Sequence, residues 1–160
     1  MNKQEIYRHL NDRGIVYEAT EHPAVYNMEQ LEAIALPHPE AEAKNLFIRD
    51  DKKRNYYMIT VPGDKRVDLK QFQLQQGLRK LSFASAEDLT ALLDLIPGAV
   101  SPLGLLNDRE HRVVLYLDSS FEDRLIAIHP NDNTATVCLQ SRDLIALLEE
   151  SGAEVRTVEI

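Results

Sequence analysis

The chain predicts an α+β fold, a mixed and mostly antiparallel sheet flanked by helices, and three observations carry that expectation. Runs rich in β-branched and aromatic residues come in pairs joined by short polar turns. Capped helical segments are scattered among those pairs. The length of 160 residues, with 44% hydrophobic and 28% charged, suits one domain with its own core and is short for two.

Taken in order, Lys3 to Arg13 reads as a helix with Ile6 and Leu10 inward, stopped by Gly14 where a left-handed cap is needed. Ile15 to Glu21 follows as a strand. Asn27 is placed to cap a second helix, with Gln30 three residues on as in a capping box, and Pro37 and Pro39 end it. Leu46-Phe47-Ile48 and Tyr56 to Val61 form a hairpin through the polar stretch Asp50 to Asn55, and Pro62-Gly63-Asp64 breaks its second strand. Asp68 to Gly77 reads as helical and Lys80 to Phe83 as a short strand. Ser85 caps a helix from Ala86 to Leu95, which Pro97-Gly98 ends. Three strands follow, His111 to Leu117, Leu125 to Ile128 and Thr134 to Leu139, the last two joined by the turn Pro130-Asn131-Asp132-Asn133. Ser141 is placed to cap a closing helix ending at Gly152, and Val155 to Val158 is a final strand.

Composition narrows the classes of function. No apolar run approaches the roughly 20 residues that cross a bilayer, and the first residues lead into an amphipathic pattern with no signal sequence, so a cytoplasmic protein without a membrane partner is expected. Cys138 is the only cysteine, which leaves no intramolecular disulfide and no thiolate zinc cluster. The net charge of -8 argues at first against a nucleic-acid partner. Its distribution points the other way. Lys44 to Lys80 holds ten basic and four acidic residues, a net +6, against -14 for the remainder, and such asymmetry steers a polyanion to one face. A solvated, lysine-rich hairpin is the plainer explanation of the same count.

Conventional hydrolytic motifs are absent: there is no H-E-x-x-H, no G-x-S-x-G and no histidine pair at metal-ligand spacing, so neither a metal nor a cofactor is expected. His22, His38 and His129 each precede a proline and so fall at loop or strand ends. A lone histidine is more often a hydrogen-bonded structural residue than a catalyst. Three segments stand out together. Lys44-Asn45-Leu46-Phe47 opens a strand with a lysine and an amide at its mouth. Gly98-Ala99-Val100-Ser101-Pro102 is a loop of small residues whose peptide groups can approach a ligand closely. His129-Pro130-Asn131-Asp132-Asn133-Thr134-Ala135 sets a histidine at a strand end before a turn.

With His22-Pro23-Ala24-Val25-Tyr26, Tyr56-Tyr57-Met58-Ile59-Thr60 and Leu81-Ser82-Phe83-Ala84, these segments resemble the prolyl-tRNA editing-domain superfamily, the YbaK and aminoacyl-tRNA-synthetase-associated domain fold, over nearly the whole of residues 1–160. The lysine together with G-x-x-x-P marks that superfamily. The Asn after the lysine and the extended Ser101-Pro102-Leu103-Gly104-Leu105-Leu106-Asn107-Asp108 look more like the free-standing alanyl-tRNA(Pro) deacylases, ProXp-ala or PrdX, than the cysteinyl-tRNA(Pro) branch. Pro37-His38-Pro39-Glu40-Ala41-Glu42-Ala43 departs from the pattern, being acidic where basic or small residues are common.

The resemblance implies a single editing domain that hydrolyses the ester of mischarged tRNA(Pro), with alanyl-tRNA(Pro) as substrate, prolyl-tRNA synthetase as a further partner and no role for DNA. Ester hydrolysis needs a water, carbonyl polarisation and charge stabilisation, and no strong protein nucleophile. On that reading Lys44 holds the terminal phosphate or ribose or stabilises the oxyanion. Gly98, Ala99 and Ser101 offer backbone N–H groups and room for the ester, and His129 contacts the adenosine or acts as a base. Asn45 orients the ester, while Val25, Tyr26, Leu31, Ile34, Leu46 and Pro102 wall the pocket. Lys52, Lys53, Arg54, Lys65, Arg66 and Lys70 are the expected tRNA contacts. Two other readings compete: a non-catalytic module that senses aminoacyl-tRNA or docks on a synthetase, and a metal hydrolase requiring His22, His38 and His129 to converge with a carboxylate.

Overall fold

A computed structural model describes all residues from Met1 to Ile160. Its elements in chain order are α1 (Lys3–Asp12), β1 (Tyr17–Glu21), α2 (Met28–Glu32), β2 (Ala43–Asp50), β3 (Tyr56–Pro62), α3 (Leu69–Gln76), β4 (Leu81–Phe83), α4 (Ala86–Leu93), β5 (Val113–Asp118), β6 (Leu125–Ile128), β7 (Ala135–Gln140), α5 (Ser141–Glu150) and β8 (Glu154–Val158). None of the helices is long and apolar enough to cross a membrane.

The strands form two sheets where one was expected, a three-stranded sheet ordered β1-β7-β6 and a five-stranded sheet ordered β4-β2-β3-β5-β8. The α+β class and the mostly antiparallel pairing hold, but β5 lies parallel to both β3 and β8. A single bridge between Glu42 and Ala127 joins the two sheets next to the start of β2.

β3 is the centre of the larger sheet. Tyr56 to Val61 are all buried, which is why this strand reads as a continuous apolar run with no polar face. One face, with Phe47 of β2, Met58 of β3 and Leu115 of β5, packs on Ile6 and Leu10 of α1, Leu93 of α4, Ile126 of β6, Val137 of β7 and Leu144 of α5. The opposite face, with Ile48, Ile59 and Tyr116, takes Phe72 of α3. Alternation along β2 therefore sends Ala43, Asn45 and Phe47 to the first face and Lys44, Leu46 and Ile48 to the second.

Helix ends follow local chemistry in most places. Gly14 and Gly77 take the left-handed conformation beyond α1 and α3, and Ser85 makes a reciprocal capping box with Asp88. Four ends differ from expectation. Asn27 accepts from the Gln30 N–H at 2.8 Å, but the Gln30 side chain takes the Tyr26 N–H at 2.8 Å, so no reciprocal box forms. That helix closes at Ala33, ahead of Pro37, because the chain turns to bury Leu36 against Val25 and Leu31. α4 ends at Asp94, left-handed at φ 52°, and the turn delivers Leu95 to the main core. Ser141 does not cap α5; its hydroxyl donates to the Phe121 carbonyl at 2.6 Å, tying the helix start to a distant turn.

Candidate active site

The starts of β2 and α2, the loop after α4 and the end of β6 enclose a pocket of about 300 Å³. Seven of the residues singled out from sequence line it: Val25, Tyr26, Leu31, Lys44, Asn45, Gly98 and His129. Asn27, Met28, Ala43 and Val100 complete the lining and were missed. Met28 stands one helical turn before Leu31, so the spacing from a nominated wall residue was the available signal.

Backbone bonds hold the first wall. The chain after β1 continues beside β7, with the His22 N–H donating to Thr134 O at 2.9 Å and the Val25 N–H to Asn133 O at 3.1 Å. Asn133 Nδ2 returns a bond to Val25 O at 2.8 Å. This brings Tyr26 to the mouth, where 65% of it stays exposed and one ring edge lies against Gly98. His22 does not line the pocket; its Nδ1 donates to Pro23 O at 2.9 Å and its Nε2 is 2.8 Å from the Thr136 hydroxyl.

The loop after α4 forms the second wall. Gly98 has φ 91°, a conformation that L side chains rarely adopt. The Ala99 N–H is used on Ile96 O at 3.0 Å, whereas the N–H groups of Gly98 and Val100 bond to no acceptor in the protein. They are the donors this wall can offer a ligand oxygen. Ser101 anchors the loop from behind: its hydroxyl donates to His129 O at 2.6 Å and accepts from the Leu103 N–H at 3.2 Å.

Asn45 links three elements. Its Oδ1 accepts from the Thr60 hydroxyl at 2.6 Å and its Nδ2 donates to Val100 O at 3.4 Å, leaving one N–H and one lone pair for a ligand. The Lys44 ammonium donates to the Lys65 carbonyl, so it stands at one edge of the pocket. His129 Nδ1 donates to Ala135 O at 2.8 Å, which leaves Nε2 as the unprotonated nitrogen of a neutral ring. Burial lowers the His129 pKa below the usual histidine range, and the Ala135 carbonyl offsets this only in part, so the imidazole is neutral at pH 7.

Five expected site residues do not line the pocket. Leu46 lies on the opposite face of β2 from Asn45, packed with the Ile48 and Ile59 cluster. Ile34 packs beside Leu36 beyond α2. Ala99, Ser101 and Pro102 are buried, where Ser101 and its neighbours shape the loop from inside. His38 stands 3.3 Å from Glu18 and 3.7 Å from Glu40, away from His22 and His129, whose ring centres are 6.1 Å apart. No three His, Cys, Asp or Glu side chains are grouped as a metal would require.

The basic residues divide. Lys52, Lys53 and Arg54 are exposed at the β2–β3 turn, presented by Asp50. That buried carboxylate accepts from the Lys52 and Arg54 N–H groups at 3.1 and 3.0 Å and from Asn55 Nδ2 at 2.8 Å. Burial works to raise its pKa, but these donors outweigh it and hold the acid below its usual range. The turn is at the far end of β2 from Lys44, about 20 Å away at the rise of a strand. Arg66 and Lys70 are exposed near α3. Lys65 is committed elsewhere, 3.0 Å from the buried Asp118 carboxylate.

Residues 22–147 match the family model of the aminoacyl-tRNA editing domain. The chain is 39% identical to the prolyl-tRNA editing protein ProX of Acetoanaerobium sticklandii, covering 99% of this chain and 97% of that protein. It is 31% identical to the mouse prolyl-tRNA synthetase associated domain-containing protein 1, covering 94% and 91% of the two chains. A crystal structure described as a candidate trans-editing enzyme for prolyl tRNA synthetase superposes with a TM-score of 0.68 at 21% identity, covering 99% of this chain and 96% of that one.

Proposed function

Because the chain belongs to the aminoacyl-tRNA editing-domain family, we propose that residues 1–160 form one editing domain that acts in trans on mischarged tRNA(Pro), hydrolysing alanyl-tRNA(Pro). It is an aminoacyl-tRNA deacylase, a carboxylic ester hydrolase. The observation that carries the reading is the 300 Å³ pocket itself, which joins Lys44, Asn45, the Gly98 loop and neutral His129 without a nucleophilic serine or cysteine. Polarising the ester carbonyl with the Gly98 and Val100 N–H groups and holding the terminal ribose or phosphate with Lys44 leaves attack to water. His129 Nε2 is placed to accept a hydrogen bond from that water or from a ribose hydroxyl.

A size argument supports alanine as the amino acid. Val25, Leu31, Met28 and Val100 give the pocket apolar walls, and its volume is at the low end for ligand pockets. A synthetase that must admit proline cannot reject the smaller alanine strongly, since each missing methylene is worth only about 1 to 3 kcal/mol. A second pocket that admits alanine and excludes proline completes the selection. The synthetase is the partner that such a division of labour implies.

The purified protein is therefore expected to deacylate alanyl-tRNA(Pro) without added metal and to spare prolyl-tRNA(Pro). The measurement is a deacylation panel with alanyl-, cysteinyl-, seryl- and prolyl-tRNA(Pro). Faster turnover of the cysteinyl ester would move the substrate assignment, loss of activity with chelator and its recovery with zinc would overturn the metal-free mechanism, and no turnover of any ester would favour the sensing module.

Binding to tRNA should weaken steeply with salt. Neutralising Lys52, Lys53 and Arg54 together is expected to flatten the plot of log K against log salt by about one unit for each phosphate contact removed. An unchanged slope would place the tRNA elsewhere, with Arg66 and Lys70 the next exposed pair to neutralise.

A further inference from the structure

A second pocket, of about 560 Å³, adjoins the first and shares Met28 with it. Its polar lining is acidic, with Glu32, Glu40, Glu42 and Asp64 and no lysine or arginine. Three of these carboxylates belong to exposed residues, but Glu42 is only 6% exposed. Its side chain makes no hydrogen bond and no ion pair in the protein, although its backbone carbonyl accepts from the Gly63 N–H at 2.9 Å. The little surface it keeps is at the second pocket, so its carboxylate meets that pocket with no partner in the protein and is open to a cation brought there.

The first pocket presents the complementary deficit. An aminoacyl ester carries an α-ammonium group one carbon from the carbonyl, yet no carboxylate lines the pocket in which that carbonyl would react. Glu42 is the chain neighbour of the lining residue Ala43, and it stands two residues before Lys44 in extended backbone. Side chains at that spacing share a strand face about 7 Å apart. Glu42 and Lys44 nevertheless do not pair with each other, since the Lys44 ammonium is used on the Lys65 carbonyl. The only side chain common to the two pockets is the Met28 thioether, laid against Gly63 so closely that a Cβ there would overlap it. An unbranched, flexible side chain is the kind of partition a small polar group can displace.

We propose that Glu42 binds the α-ammonium of the aminoacyl ester, so that Glu42 and Lys44 hold the two ends of the same substrate. This rests on the deacylase reading above. It gives a use to the acidic stretch before the lysine, which a phosphate-binding edge would not need. Burial and the nearby Glu32 and Glu40 charges raise the Glu42 pKa, and an arriving ammonium reverses that bias.

The test compares single-turnover hydrolysis of alanyl-tRNA(Pro) with that of lactyl-tRNA(Pro), in which a hydroxyl replaces the ammonium, by wild type and Glu42→Gln. The expected result is a loss on the order of tenfold to a hundredfold for the alanyl ester, the range of a charge-assisted bond, with the lactyl ester changed by about twofold or less. Comparing each ester with itself cancels the difference in intrinsic lability. Glu42→Asp, which keeps the charge but shortens its reach, should show a smaller loss confined to the alanyl ester, and it serves if the amide variant melts early. Glu149→Gln, at an exposed carboxylate on α5 that lines neither pocket, should behave as wild type on both. Equal losses on the two esters, or no loss on the alanyl ester, would overturn the proposal and leave the deacylase reading in place. Wild type inert on both esters would remove the deacylase reading and this proposal with it.

Discussion

Gly98→Val is expected to slow single-turnover deacylation of alanyl-tRNA(Pro) by a hundredfold or more. Two effects combine. At φ 91° a β-branched residue is strained by about 1 to 3 kcal/mol, so the loop will move if it can. A Cβ built on the present backbone would lie 3.0 Å from Tyr26 Cδ1 and 3.5 Å from Asn133 Nδ2, which closes the route by which the branched side chain might be accommodated. The loop then shifts and takes the unpaired Gly98 and Val100 N–H groups with it. Losing one such donor costs about 2.7 to 4 kcal/mol in the transition state. Gly77→Val separates strain from chemistry, because Gly77 has φ 66° at the end of α3 with no atom within 4 Å of an added Cβ. Both variants should melt earlier than wild type, and only Gly98→Val should lose rate. Equal rates in the two would remove the loop from the mechanism.

Lys44→Ala is expected to lose a hundredfold in the same assay while folding normally, whereas Lys80→Ala, an exposed lysine remote from the pocket lining, should stay near wild type. The ammonium donates to the Lys65 carbonyl, and rotation about its four-carbon stem carries it from that carbonyl to a ligand in the pocket. The carbonyl it leaves is a partly exposed group, so truncation should cost little stability. Single-turnover rates at saturating enzyme, measured beside thermal melting, separate a chemical defect from weakened binding or unfolding. A near-normal rate in well-folded Lys44→Ala would leave Asn45, the Gly98 loop and His129 as the whole of the machinery.

The pocket was legible in the sequence to different depths. Lys44, Asn45, Gly98 and His129 stand out because each combines a reactive or permissive residue with a strand end or a loop. Leu46 shares with Lys44 the face of β2 opposite Asn45, but it packs into the cluster there, whereas the long stem of Lys44 at the strand end reaches the pocket edge. Met28 and Glu42 carried weaker signals of the same kind, one turn before Leu31 and two residues before Lys44. The buried role of Ser101 had no such signal, because its partner is the carbonyl of His129, twenty-eight residues away.

What the sequence determined by itself is the set of features settled within a few residues. These include the left-handed glycines after α1 and α3, the Ser85 and Asp68 caps, the Asp50 turn that presents three basic side chains, and the alternation of the strands. Each rests on φ sterics or on a hydrogen bond to a near neighbour, and neither needs the rest of the fold. Only the tertiary structure decided that β5 runs parallel to β3 and β8, that the strands divide into two sheets, and that Ser141 serves Phe121. It also decided that Glu42 lines a second pocket beside the candidate site without a partner in the protein. Those outcomes depend on which distant surfaces exclude water together, and burial of that kind is shared by the whole core and written in no single stretch of it.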